Sequence, residues 1–471
     1  MRDILDYLET QLSTFEDEPL NEVDSALLAQ FCMTRGEVIM PAVTSPREEA
    51  RARAEAARAG ASRAAAQGGE GASERESGAE EGEDGPESLA PPAAGGEAQS
   101  VESAGPRGLK GFARRVRQGL HWRGRGARDA RAAEVATGAH DSEPIHFADL
   151  MRAELFGDLF AGMHAAQMRQ QLFLMAASPR FRTITIRDHA ALFDEQPPMQ
   201  FAATTYVYGD QFAYVGFRGT DTTLAGWRED FDMAYQVPVP AQDLAARYLA
   251  DVAADPTVPE RLYVGGHSKG GNLAEYAALT AAPEVQARIA RVFSHDGPGF
   301  MAGTFSAADY APLQGRLAKT VPEDSMVGIL MESSMPVSVV CASGKGFEQH
   351  TVFRWEVADD NRGFVTVPQL PEVTQRRAEA LKLWLASMDG AQRERMVDAL
   401  FAAIRAAGVT DAAQLFEGGR EVALVRDGML KMDGADRAVM LRAVSGLARA
   451  FHEVTVERNE ARRQESRTAK A

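Results

Sequence analysis

The stretch "YVGGHSKGGNLAEYAAL", Tyr263 to Leu279, sets one serine between glycines, behind a short apolar run and ahead of an alanine-rich segment. Either Ser268 stands on a sharp turn from strand to helix, or it is a hydroxyl in a glycine-rich loop. A bare G-x-S-x-G arises often by chance. Here "RLYVGG" before it reads as a strand and "GGNLAEYAAL" after it as a helix, the context a nucleophile elbow requires. Gly266 and Gly270 then mark the positions where a side chain would collide with the crossing elements.

Working outward, "FRTITIRDHAALFD" and "QFAATTYVYGDQFAYVGFRGTD" are rich in β-branched and aromatic residues, with "YGDQ" as a hairpin turn. Strands and helices then alternate. Helix "AQDLAARYLADVAA" precedes the elbow; strands "ARIARVFSHD", "GRLAKTVPED" and "PVSVVCASG" follow it. Such alternation predicts an α/β fold with a mostly parallel central sheet covered by helices. "FADLMRAELFGDLFAGM" reads as a further helix, and from Pro371 the chain reads as helical throughout.

The ends and the middle differ in kind. Ile4, Leu5, Leu8 and Leu12 recur at helical spacing, so residues 1–43 are expected to form a helical segment packed on the main domain. Residues 44–143 are Ala, Gly, Glu, Arg, Ser and Pro with few groups to bury, and are expected to be a disordered insertion. Within it, residues 107–125 carry no acid and could wind into a basic amphipathic helix, a candidate peripheral contact with membrane. Gly108, Gly111 and Gly119 weaken that helix, and a solvated basic patch is the plainer reading. Residues 144–370 then form the catalytic domain and 371–471 a helical C-terminal region.

The 471 residues, 45% hydrophobic and 25% charged, can bury a large core. Acids exceed bases 67 to 51, and the net charge of -16 argues against nucleic acid as a partner. The N-terminal residues lack the pattern of a signal peptide, and no run approaches the roughly 18 apolar residues of a membrane span. Cys32 and Cys341 form no metal or redox spacing and fit a reducing compartment. The expectation is a cytoplasmic protein with no cofactor and no metal.

A serine is a poor nucleophile unless a histidine takes its proton and a carboxylate orients that histidine. In chains of this architecture the base lies downstream of the nucleophile, which leaves His295, His350 and His452. His350, on the glycine-containing loop after "PVSVVCA", is preferred. For the acid, Asp324 in "KTVPEDSMVG" is preferred because its strand comes next in order to the histidine loop. Asp296 in "FSHDGPG" is the alternative, with a turn carboxylate as its bland reading. An oxyanion also needs donors. The Lys269 N–H follows the nucleophile, and Thr220 in "FRGTD" could add its N–H and hydroxyl.

"FRGTDTTLAGWREDF", "GGHSKGGNLAEYAA", "FSHDGPGF", "VPEDSMVGIL" and "EQHTVFRWEV" together resemble a bacterial lipase-like family, without an assigned substrate, related to the class 3 (fungal-type) lipases of the α/β-hydrolase superfamily. The resemblance covers residues 1–40 and 144 to the end, the helical C-terminus more loosely. It implies Ser268 as nucleophile, Asp324 as acid, His350 as base, and Thr220 with Lys269 as oxyanion donors. It also implies a lid near Thr222 to Asp232, beside Trp227 and Asp230. Lys269 departs from the apolar residue usual in secreted lipases and brings a cation close to the nucleophile. The expected activity is hydrolysis of carboxylic esters with lipid-like acyl groups through an acyl-enzyme. Acyl transfer on the same residues, and a non-catalytic interaction protein keeping the fold, are the alternatives.

Overall fold

The computed structural model describes residues 1–38, 145–416 and 421–468. Among them, nine strands form one sheet in sequential order: β1 (Ile145–His146), β2 (Thr185–Glu195), β3 (Pro198–Tyr208), β4 (Phe212–Phe217), β5 (Leu262–His267), β6 (Ile289–His295), β7 (Leu317–Pro322), β8 (Val337–Val340) and β9 (Thr366–Val367). β1 to β4 pair antiparallel, β4 to β8 parallel, and β8 with β9 antiparallel. The result is a mixed α/β fold whose sheet is parallel in its centre.

Sequential parallel order has a consequence for coverage. Right-handed crossovers that all advance in one direction lay their helices on the same face. Ala213, Val215 and Phe217 of β4 and Val264 of β5 therefore pack in one core with Tyr248 and Leu249 of α5 (Pro240–Ala254) and Leu273 and Ala277 of α6 (Lys269–Thr280). Intervening strand residues, Tyr214, Tyr263 and Phe293, point to the other face by the two-residue period of a strand. That face is closed from elsewhere in sequence, by α1 (Ile4–Thr10), α2 (Glu22–Phe31) and α3 (Ala165–Ala177), with Leu27, Phe31 and Leu172 in the core. The N-terminal segment thus completes the sheet's second layer.

The crossover from β4 to β5 begins with a short helix, α4 (Leu224–Asp232), ahead of α5. The C-terminal residues form α7 (Glu372–Ala386), α8 (Gly390–Ala406), α9 (Glu421–Lys431) and the 35-residue α10 (Gly434–Thr468). These helices belong to the same compact unit as the sheet. Phe401 of α8 meets Phe231 of α4 edge-on at 5.7 Å between ring centroids.

One expected helix is absent. "FADLMRAELFGDLFAGM" folds as short turns, Phe147–Leu150, Ala153–Leu155 and Phe156–Leu159, rather than one helix. Phe147, Leu150 and Leu159 are buried, but Met151, Arg152 and Glu154 are exposed, so no continuous face is available to bury. The continuous helix forms only from Ala165. Residues 44–143, expected to be disordered, and the basic segment 107–125 lie outside the described residues. No helix of the described residues is long and apolar enough to cross a membrane.

Candidate active site

Ser268 is the cap between β5 and α6, with φ 58° and ψ -131°. A non-glycine residue at positive φ is strained, and such strain persists only where surrounding structure fixes it. The flanking glycines do the fixing. A Cβ on Gly266 would lie 2.2 Å from the carbonyl carbon of Gly270, and one on Gly270 would lie 2.1 Å from the Phe217 oxygen. Strand, turn and helix therefore cross at backbone contact, and no other residue type fits either position. The loop after β4 packs on the same turn: a Cβ on Gly219 would stand 3.3 Å from the Ser268 Cβ. Thr220 is thereby held beside the serine.

His350 sits on the loop after β8 and is 9% exposed. Its Nδ1 bonds to Asp296 Oδ2 at 2.6 Å. Asp296 lies just past the end of β6, fully buried, and its other oxygen accepts from Ser325 Oγ at 2.6 Å and the Gly328 N–H at 3.0 Å. With the Nδ1 proton given to Asp296, a neutral His350 carries its lone pair on Nε2, the nitrogen a general base uses. His267 supports the same loop. Its ring lies 4.6 Å from that of His350, and its Nε2 bonds to the His350 carbonyl at 2.7 Å. Burial holds the His267 imidazole well below the usual histidine range, so it stays neutral and donates that bond.

The preferred acid is therefore corrected. Asp324 does not meet His350. Its Oδ1 accepts from Arg377 at 2.9 Å and its Oδ2 from the Gly346 N–H at 2.7 Å, so it ties α7 to the base of the histidine loop. The alternative, Asp296, holds the histidine. In a sequentially ordered sheet β6 is the immediate neighbour of β5, so its end lies one strand from the nucleophile, and the histidine loop returns to reach it.

Thr220 donates its hydroxyl to Asp230 Oδ2 at 2.6 Å. Burial above all lifts the Asp230 carboxyl to about 6, with Lys269 and Thr220 opposing the shift. Lys269 opens α6, where the first N–H groups of a helix have no partner inside it and suit a developing negative charge. Its ammonium is not free. It is buried and bonded to Glu229 and to the Gln200 carbonyl, the latter at 2.8 Å, so it offers no charge to an anionic substrate. Glu229 in turn accepts from the Gln200 N–H at 3.0 Å and the Ala241 N–H at 2.8 Å. These bonds pin α4, the segment expected to be a lid: moving it would strand a buried carboxylate and a buried ammonium.

Ser268, Lys269, Thr220, His267 and His350 line one cavity of about 1120 Å³, a little above the roughly 300–1,000 Å³ usual for ligand sites. Much of the rest of its wall is apolar and comes from Leu159 to Met163, from Trp227 and Phe231, and from the C-terminal helices. Sequence reasoning missed Ser325, Gly328, Glu229 and these helices. The pattern "EDSMVG" offered a small polar residue beside the carboxylate, but nothing local tied it to Asp296. Among the described residues no group of three or more His, Cys, Asp or Glu side chains is placed to hold a metal ion.

Residues 175–402 match the family model described as Mbeg1-like. The Mbeg1-like match takes in the sheet from β2 onward, the elbow, Asp296, His350, α7 and most of α8, and it supports a lipase-like relationship. It stops before α10. Among solved structures, the crystal structure of M37 lipase is similar at 14% identity, covering 38% of this chain and 69% of that one, with a TM-score of 0.23. No curated protein matches the chain.

Proposed function

We propose that this protein is a serine hydrolase of carboxylic esters with lipid-like acyl groups, on an α/β-hydrolase scaffold. One observation carries the reading: a serine strained at φ 58° on a strand-to-helix turn shares one large apolar cavity with a histidine that a buried carboxylate orients. Ser268 Oγ attacks the acyl carbon as His350 Nε2 takes its proton, and Asp296 stabilises the imidazolium that forms. The oxygen of the tetrahedral intermediate accepts from the backbone N–H groups of Lys269 and Thr220, the Thr220 hydroxyl being engaged with Asp230. Collapse expels the alcohol, which takes the proton from His350. Water then repeats the sequence on the acyl-enzyme and frees the acid.

The test is reaction of the folded protein with a fluorophosphonate, followed by mass spectrometry of the labelled peptide. Stoichiometric phosphonylation at Ser268 is expected. A folded protein that does not react, or reacts elsewhere, would overturn the proposal.

The oxyanion assignment is tested separately. Thr220→Val keeps the side-chain shape and deletes a hydroxyl whose single proton already goes to Asp230 Oδ2. With the Thr220 N–H as the donor from this loop, kcat is expected to fall less than about threefold. Loss of a true oxyanion donor lowers kcat by about 10²-fold or more, and a fall of that size would show that the hydroxyl turns from Asp230 to the oxyanion.

A further inference from the structure

Nine residues of the cavity wall come from the C-terminal helices, and all are apolar, including Leu381 and Trp384 of α7, Met396 of α8, and Met440, Val444 and Leu447 of α10. Those helices are charged elsewhere, as at Arg376, Arg377, Glu379 and Lys382, so the apolar face is selected by position. On α10 the lining residues Met440, Ala443, Val444 and Leu447 follow the i, i+3, i+4, i+7 spacing of one helical stripe. The one polar atom that could break this wall is withdrawn from it: Trp384 Nε1 donates to the Ala443 carbonyl at 3.0 Å, which also fixes α7 to α10. The polar and charged lining residues come from the rest of the chain, Ser268, His350 and Thr220 among them. One cavity therefore combines a reactive polar part and a dry, preformed apolar wall. Val444 lines it and is also exposed, as are Met326 and Phe231, so it reaches solvent past apolar side chains.

We infer that α7, α8 and α10 form an acyl-chain site that makes the protein prefer long, unbranched aliphatic acyl groups over short ones, with α10, outside the segment matched by the family model, setting the preference. The inference rests on the ester-hydrolase reading for turnover, but its binding half does not. A long chain buries its methylenes against the stripe, and each one removed from water tightens its hold; a butyryl group is too short to use most of the wall. Because α4 is pinned by the Glu229–Lys269 pair, this selection comes from a standing wall rather than from closure of that helix.

The experiment measures kcat/KM for p-nitrophenyl butyrate, octanoate, dodecanoate and palmitate with the full chain, and dodecanoate binding by calorimetry. The variants are Val444→Trp, which obstructs the opening, Leu447→Ser, which wets the wall, and Leu441→Trp, an exposed position of α10 that does not line the cavity. Val444 is itself exposed, so its replacement leaves the core intact. Expected are a dodecanoate preference in the wild type, a fall of about tenfold or more in the dodecanoate-to-butyrate ratio for Val444→Trp and Leu447→Ser, and no change in that ratio for Leu441→Trp. A flat wild-type profile, or equal effects at Leu441 and Val444, would overturn the inference. If no ester turns over and Ser268 takes no fluorophosphonate, the hydrolase reading fails. Dodecanoate binding weakened by Val444→Trp and not by Leu441→Trp would then uphold the acyl site, and absent binding would overturn it.

Discussion

Asp296→Asn is expected to lower kcat by about 10³–10⁴-fold with KM little changed, whereas Asp324→Asn leaves kcat within a few-fold of the wild type. The reason lies in which atoms can face His350. Asp296 Oδ1 accepts from the Gly328 N–H at 3.0 Å, and a backbone N–H can only donate. An asparagine there must keep its carbonyl toward Gly328, which turns its NH₂ toward His350 Nδ1, the 2.6 Å partner of Oδ2. Nδ1 must then accept, the ring proton moves to Nε2, and the histidine no longer has a lone pair for the Ser268 proton. Volume and burial are preserved, so thermal melting is expected to show a folded protein. Asp324→Asn instead weakens an ion pair with Arg377 whose side chains are 26% and 21% exposed. Such pairs contribute about 0–1 kcal/mol, and the oriented histidine is untouched. The check is steady-state kinetics on one ester, with the rate of fluorophosphonate labelling in parallel. Intact turnover in Asp296→Asn with collapse in Asp324→Asn would reverse the assignment.

The contrast between these two aspartates marks how much of the site was legible in the sequence. The elbow was, because the turn's own steric demand is local: Gly266 meets the backbone of Gly270 just beyond Ser268, although Gly270 is held in turn by Phe217 of β4, distant in sequence, and the strand and helix announce themselves by composition. His350 was, because its loop follows the last apolar strand of the series. The acid was not. Both candidates follow strands, and choosing between them needs the lateral order of the sheet, which chain order does not contain. The same limit explains Lys269. Its charge was visible, but Glu229, 40 residues earlier, neutralises it only because α4 folds back over β3. The lid expected near Thr222 to Asp232 came from the resemblance, and only that long-range pair makes the segment a fixed wall. The C-terminal helices were legible as helices, since periodicity reports which face is apolar. What the face is apolar toward, a core or a cavity, is a property of the packing. In the fold itself, "FADLMRAELFGDLFAGM" misled because its composition suits a helix while the burial available alternates between its ends.

Breaking the buried clamp between the N-terminal segment and the connection from α3 into β2 is expected to have the largest effect on stability. Arg180 and Asp24 are both fully buried and meet through two bonds, Nε to Oδ1 at 2.8 Å and an Nη to Oδ2 at 2.6 Å. The remaining guanidinium protons reach the carbonyls of Ser13, Thr14, Glu18 and Pro19, so one side chain fastens the whole turn between α1 and α2. Tyr7 gives its hydroxyl to the same carboxylate at 2.7 Å, and Phe15 lies under the guanidinium at 4.0 Å. Arg180→Met leaves an uncompensated carboxylate in the core and is expected to cost about 3–5 kcal/mol in denaturant unfolding. The double variant Asp24→Leu, Arg180→Met removes the stranded charge and recovers only part of that loss, because the four carbonyls remain without their donor. A second readout locates the damage. Cys32 directly follows α2 and is 2% exposed, and burial pushes its thiol up to about 12, so it is inert toward a disulfide reagent in the folded protein. Arg180→Met is expected to make Cys32 react faster well before global unfolding, as the N-terminal layer lifts from the sheet. If Cys32 reactivity instead tracks the global transition, the N-terminal segment is part of one cooperative unit with the sheet, and the clamp stabilises the entire fold rather than one layer of it.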